Sequence, residues 1–260
     1  MRPLSGRRLL ALFAHPDDES YAAGALLARC ASGGARVIVL CATRGEAGVD
    51  RRGEARPGPD LARVRSMELA RSCAMLGIEP PRYLGLADGG GRRWDIAAAA
   101  EAVRLEILRW RPHVLLTHGE DGAYGHVDHR ACARIATRVA AGLPPASSPP
   151  RLLQVAFPTG LFEPVRRALR RLMPGCIDDG DFPLGVASEA VDLRIDVSGE
   201  ARERKLASVA AHASQLDDGD PMTFLRPGLL QGLLHQEWFT VASGPPLPPG
   251  ATDPFAGLPR

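Results

Sequence analysis

The sequence predicts an α/β fold: a Rossmann-like, doubly wound, mostly parallel sheet with helices on both faces, in a single domain. Two observations lead there. Apolar runs of strand length alternate with longer helical patterns, the rhythm of βαβ units. The chain, 260 residues with 45% hydrophobic and 24% charged side chains, also has the size and composition of one sizeable α/β domain.

Strand-like runs lie at Leu9–Ala14, Val37–Cys41, Arg82–Leu86, Val114–Thr117, Leu152–Phe157 and Val191–Val197, rich in branched apolar residues. Helical patterns fall at about Tyr21–Ala31, Leu61–Leu76, Ile96–Trp110, Val127–Ala141 and Phe162–Leu172. A last helix, Glu200–Ala213, opens after Ser198 and Gly199, with Ser198 placed to cap it. The expected domain spans residues 1–243. The proline-rich stretch 244–260 reads as a poorly ordered tail, and Leu143–Pro150 as a surface linker. Three connections are long or polar and suit binding loops: Thr43–Asp60, Asp88–Arg93 and His118–His129.

Net charge is only +2, with Lys205 the only lysine, so no global charge favours nucleic acid or an anionic membrane. The five cysteines, Cys30, Cys41, Cys73, Cys132 and Cys176, are scattered and form no C-x-x-C pair. That argues against a disulfide framework and a cysteine zinc knot, and for a reducing compartment. The apolar run after Arg7-Arg8 is too short for a signal peptide and leads into His15 rather than a cleavage site. No segment reaches the roughly 18 apolar residues of a membrane span. A cytoplasmic location is expected, and a homo-oligomer stays open.

One stretch departs from ordinary strand-to-helix turns. Ala14-His15-Pro16-Asp17-Asp18-Glu19 places an imidazole and three carboxylates directly after the first apolar run. Three carboxylates in one turn cost repulsion and desolvation unless a cation compensates. A divalent metal is the working reading. Its rival is a capping cluster, with Asp17 or Asp18 at the helix start and Glu19 complementing the helix dipole. A second cluster follows the fourth strand, where His126 and His129 are three apart at a helix start and share one face. In a doubly wound sheet of order 3-2-1-4-5, strands one and four are neighbours at the topological switch point, where ligands bind. A nucleotide site would need a glycine-rich turn after strand one; Asp17, Asp18 and Glu19 would repel phosphate there.

These residues resemble the LmbE-like, or PIG-L, family of zinc-dependent N-deacetylases acting on N-acetylglucosaminyl substrates. The resemblance rests on Ala14-His15-Pro16-Asp17-Asp18-Glu19 with His126-x-x-His129. Thr43-x-Gly45-Glu46-x-Gly48, Arg65 with Glu68, Leu84-Gly85-Leu86 with Asp88, and Ala211-His212-Ala213-Ser214-Gln215 support it. It implies Zn2+ held by His15, Asp18 and His129, with another divalent ion such as Fe2+ as a variant. It also implies Asp17 as the general base and His126 as oxyanion stabiliser, acid to the leaving amine, or both. Tyr124 matches a mobile substrate-side tyrosine of the mycothiol branch, which carries a second glycine where Ala123 stands. Arg44, Glu46, Arg65 and Asp88 join Tyr124 as candidate substrate-binding residues. Each also has a plain reading as a solvated loop, an exposed helix pair or a turn. Asp128 is a candidate to orient His126 or a ligand.

The set suits amide hydrolysis. Two imidazoles and one carboxylate leave zinc an open position, while a poor electrophile with a poor leaving group needs both a base and an acid. The expected function is removal of an N-acetyl or other N-acyl group from an amino sugar or glycosylated small molecule. A mycothiol-conjugate-type amidase is the nearest alternative. A non-haem Fe(II) oxygenase shares the donor set but usually occupies an all-β barrel, and a non-catalytic sugar-binding protein has no need of Asp17.

Overall fold

The computed structural model describes residues 2–143, 150–173, 175–178, 180, 182–224 and 228–259; most of the expected linker Leu143–Pro150 lies outside these. Strands and helices alternate as β1 (Arg8–Phe13), α1 (Asp18–Ser32), β2 (Arg36–Cys41), α2 (Pro59–Leu76), β3 (Arg82–Tyr83), α3 (Ile96–Trp110), β4 (Val114–Thr117), α4 (Gly122–Gly125) and α5 (Val127–Gly142). There follow β5 (Arg151–Val155), α6 (Glu163–Leu172), β6 (Leu193–Asp196), α7 (Gly199–Ala211), α8 (Leu229–Leu233) and β7 (Gln236–Ser243). One seven-stranded sheet has the order β3-β2-β1-β4-β5-β7-β6. The expected 3-2-1-4-5 order is present, extended by a strand the apolar pattern does not reveal. β7, reading Gln236-Glu237-Trp238-Phe239-Thr240-Val241-Ala242-Ser243, is half polar and runs antiparallel to β5.

Strands β1, β2 and β4 are apolar along most of their length because both faces are covered: Leu9–Phe13, Val37–Cys41 and Val114–Leu116 are all buried. β3 is short; the chain beyond it still donates from Leu84 and Leu86 to the carbonyls of Cys41 and Ala42.

Packing groups the chain into two compact units. The first comprises Met1–Ser5, Phe13–Asp88 and Ile195–Glu237; the second comprises Gly6–Leu12, Gly89–Arg194 and Trp238–Arg260. In the first, α7 packs on α1 and α2. A fully buried ion pair ties α7 to β7 and α1: Lys205 Nζ stands 2.6 Å from Glu237 and donates to the Tyr21 carbonyl at 2.8 Å. Glu237 in turn accepts the backbone N–H groups of Ala25 and Leu26, so neither charge lacks a partner. In the second unit, α3 packs on α5, and parallel β1–β4 and β4–β5 pairs form the sheet. In the stretch expected as a tail, the Arg151 guanidinium donates to the carbonyls of Pro245, Pro246, Pro254 and Ala256, and Phe255 is buried.

Candidate metal-binding and catalytic residues

The acidic turn belongs to the first unit. Thr43 ties its start to the strand beside it, donating from both its backbone N–H and its hydroxyl to the Ala14 carbonyl. Asp17 occupies the position before α1 with φ 111°, a left-handed conformation that a non-glycine residue adopts only at a cost. Its side chain makes no capping hydrogen bond. Instead the carboxylate meets Arg65 Nη2 at 2.9 Å, and the same guanidinium donates to the carbonyls of Pro16 and Gly45. Burial pushes the Asp17 carboxyl up to about 6, against the opposing pull of Arg65. The capping explanation of this carboxylate therefore fails.

Asp18 is buried and held from two sides. Its Oδ2 accepts the His15 backbone N–H at 2.8 Å, and its Oδ1 accepts the Tyr21 hydroxyl at 3.0 Å. His15 Nδ1 lies 3.5 Å from Asp18 Oδ2. Two ligands bonded at ~2.1 Å to a tetrahedral zinc stand about 3.4 Å apart, so this pair fits such an ion without rearrangement. The other nitrogen of His15, Nε2, is 3.1 Å from Asp88 Oδ1. Burial alone would raise the Asp88 carboxyl, but the His15 charge and hydrogen bond outweigh it and hold it well below the usual carboxylate range.

Glu19 and His212 carry a role that sequence spacing does not show. Glu19 is fully buried; its Oε2 accepts the Asp17 N–H at 3.0 Å, and its Oε1 takes the hydroxyls of Ser20 and Ser72 and His212 Nε2 at 2.8 Å. The acid that reads as a first-turn residue thus fixes the backbone of Asp17. Its partner arrives from the end of α7. The motif Ala211-His212-Ala213-Ser214-Gln215 was the available signal, but its contact is 193 residues away in sequence. Ser214 likewise donates its N–H and hydroxyl to Glu68, which together with Arg65 is buried rather than forming an exposed helical pair.

The histidine loop belongs to the second unit and runs from β4 into α5. His126 is the residue before α5, and its Nδ1 accepts the Asp128 N–H at 3.2 Å. A backbone amide can only donate, so Nδ1 carries the lone pair and the proton of the neutral ring sits on Nε2. His129 has the opposite arrangement: Nδ1 is 3.2 Å from the Gly122 carbonyl, which puts the proton on Nδ1 and the lone pair of the neutral ring on Nε2. His118 stacks on His129 with ring centroids 4.0 Å apart and 5° between planes, making it a wall against that ring. Tyr124 sets its edge or face to both His126 and His129, at 5.8 and 5.4 Å between centroids.

The Asp128 carboxylate accepts the N–H groups of Gly89 and Gly91, at 2.8 and 2.7 Å. It is the Asp128 backbone amide that reaches His126. A Cβ at Gly91 would fall 2.5 Å from the Val127 carbonyl oxygen, so only glycine permits this approach. Among the described residues, the groups of potential metal donors draw on His15, Asp18 and Asp88 of the first unit and on His118, His126, Asp128 and His129 of the second. Arg44 lies elsewhere in its loop, its guanidinium 4.0 Å over the Tyr83 ring and donating to Ser66 Oγ.

The sequence profile of the GlcNAc-PI de-N-acetylase family, PIG-L, matches residues 10–140. The chain belongs to this family. It is 36% identical over 301 residues to a 1D-myo-inositol 2-acetamido-2-deoxy-alpha-D-glucopyranoside deacetylase of Streptomyces griseus, covering all of this chain and 91% of the relative. A protein of the same name from Nakamurella multipartita is also 36% identical, over 94% of this chain and 92% of its own length. The PIG-L fold extends to N,N'-diacetylchitobiose deacetylase from Pyrococcus horikoshii, with a TM-score of 0.62 at 21% identity over 90% of this chain and 83% of that one. The family match spans both the acidic turn and the His126–His129 loop, the two clusters that carry the resemblance in sequence.

Proposed function

We propose that this PIG-L protein is a zinc-dependent deacetylase that removes the acetyl group from the amino sugar of a small N-acetylglucosaminyl substrate. An N-acetylglucosaminyl inositol is the substrate class, after the names of the relatives that align along nearly the whole chain. One observation carries the reading. In the acidic turn His15 and Asp18 stand at ligand spacing, while the neighbouring Asp17 is paired separately with Arg65 and left out of helix capping. This supports a division of labour between adjacent carboxylates, Asp18 holding a cation and Asp17 moving a proton.

His15, Asp18 and His129 would hold the ion. A divalent ion held there supplies Lewis acidity, polarising the acyl carbonyl and making water a better nucleophile. Asp17 takes the proton from that water. Its carboxyl, raised to about 6, is ionised at neutral pH yet basic enough for the task. His126 presents Nε2–H, a donor for the oxygen that gains charge and for the amine nitrogen that departs. Tyr124, lying against both histidines, borders the substrate.

The test pairs metal analysis with an assay of amine release from an N-acetylglucosaminyl inositol. Wild type should hold close to one zinc per chain. Asp17→Asn should keep the zinc and lose roughly 10²–10⁴-fold in kcat, the range for removal of a general base. A variant with full activity would remove Asp17 from the mechanism, and one that loses its zinc would make Asp17 a ligand.

A further inference from the structure

We propose that His212 is a positioning residue for Asp17: held at the end of α7, it fixes Glu19, and Glu19 fixes the backbone that aims the Asp17 carboxylate. This rests on the reading of Asp17 as the general base.

His212 is fully buried, so it acts through its neighbours and not on a substrate. Among the described residues it falls in none of the groups of potential metal donors. Its side-chain contacts run one way. Nε2 faces Glu19 Oε1 at 2.8 Å, while Nδ1 is buried with no hydrogen-bond partner among the described residues. A histidine that only filled space between helices would gain nothing from a stranded nitrogen. An ionised carboxylate only accepts, so Nε2 carries the proton of this contact. The Ser20 and Ser72 hydroxyls meet the same Oε1, and Oε2 takes the Asp17 N–H at 3.0 Å. That last bond supports the left-handed backbone of Asp17, φ 111°, a conformation that persists only when its surroundings hold it. The imidazole reaches Glu19 from a fixed place, because its own segment is tied down. The His212 N–H donates to the Val209 carbonyl at 3.1 Å, and Ser214 donates from its N–H and hydroxyl to Glu68. The Ser214 carbonyl accepts the Arg51 N–H at 2.8 Å, and Gln215 Nε2 donates to the Val49 carbonyl at 3.2 Å. Loosening this chain lets Asp17 relax toward an ordinary φ and turn its carboxylate, and a displacement of about 1 Å at a reacting group costs about 10²-fold in rate.

The test is a double-mutant cycle on the full-length protein. Wild type, His212→Leu and Ser72→Ala, each with and without Asp17→Asn, would be assayed for amine release from an N-acetylglucosaminyl inositol, with zinc content and folded fraction measured alongside. His212→Leu should lower kcat per folded molecule by about 10–100-fold, with KM and zinc content unchanged. In the Asp17→Asn background it should cost nothing further, since residues that act as a unit are not additive. Ser72→Ala removes one donor from the same Glu19 oxygen and should show the same pattern with a smaller factor. It keeps the test open if the leucine variant folds poorly. Equal losses in both backgrounds, or wild-type kcat in the variants that fold, would overturn the assignment and leave His212 a packing residue. Full activity in Asp17→Asn alone would overturn the general-base reading itself, and this assignment with it.

Discussion

At the scale of single residues, Asp17, the proposed general base, is held in place by buried neighbours. Asp17 has a left-handed backbone, and two buried contacts hold it: Arg65 on the carboxylate and Glu19 on the N–H. Glu19 stays charged because His212 outweighs the burial penalty, so its carboxyl falls below 4.5; Glu19 in turn raises His212 above 6.5 despite burial. The signs set a window. The Glu19 contribution is present above 4.5 and is lost as pH falls through its depressed folded value. The His212 contribution is complete below 6.5 and is lost as pH rises through its raised folded value. Replacing His212 by Gln strands a buried carboxylate and should cost about 3 kcal/mol. Thermal unfolding of wild type and variant should differ most between pH 4.5 and 6.5 and converge outside that range. A difference independent of pH would mean the pair acts only through packing.

At the scale of elements, the entry to α5 is the strained segment of the second unit. Gly122, Ala123 and Gly125 all have positive φ, and Ala123 combines φ 66° with ψ −72°. Those angles form a turn that is rare for any residue with a Cβ. The segment holds Tyr124 against His126 and His129, so its strain lies beside the histidines of the proposed site. Ala123→Gly should therefore stabilise the protein by up to about 1 kcal/mol, although glycine ordinarily costs about that much in unfolded-state entropy. The urea midpoint would report it, and a lower midpoint would mean the alanine is unstrained. KM should rise in the same variant as Tyr124 gains freedom.

At the scale of the whole chain, the C-terminal stretch is a structural part of the second unit. Arg151 is fully buried; among the described residues no carboxylate is hydrogen-bonded to it, and four carbonyls of the C-terminal segment satisfy its guanidinium. Prolines suit the role because they lack the N–H that a helix or strand ladder needs, so the segment stays out of regular structure and turns carbonyls to the guanidinium. Deleting everything after Ser243 would leave that guanidinium buried without acceptors and uncover the Phe255 site. A loss of about 3 kcal/mol or more is expected, read as a melting temperature lower by roughly 10 °C. Activity per folded molecule should change little. An unchanged melting temperature would mean that the Arg151 contacts contribute nothing in solution.

Much of this is legible in the sequence. The alternation of apolar runs and helical patterns determined the element order and the β3-β2-β1-β4-β5 core of the sheet, because strands buried on both faces must be continuously apolar. His15, Asp17, Asp18, His126 and His129 stood out because their chemistry is costly in a turn unless it is used. Tertiary structure alone decided the supporting contacts. That Arg65 holds Asp17, that His212 holds Glu19, that Asp88 faces His15 and that Arg151 gathers the C-terminal carbonyls are facts of long-range packing. A sequence pattern records which face of an element is apolar. It does not record which distant polar atom satisfies a buried one, since any donor at the right place in space serves equally well.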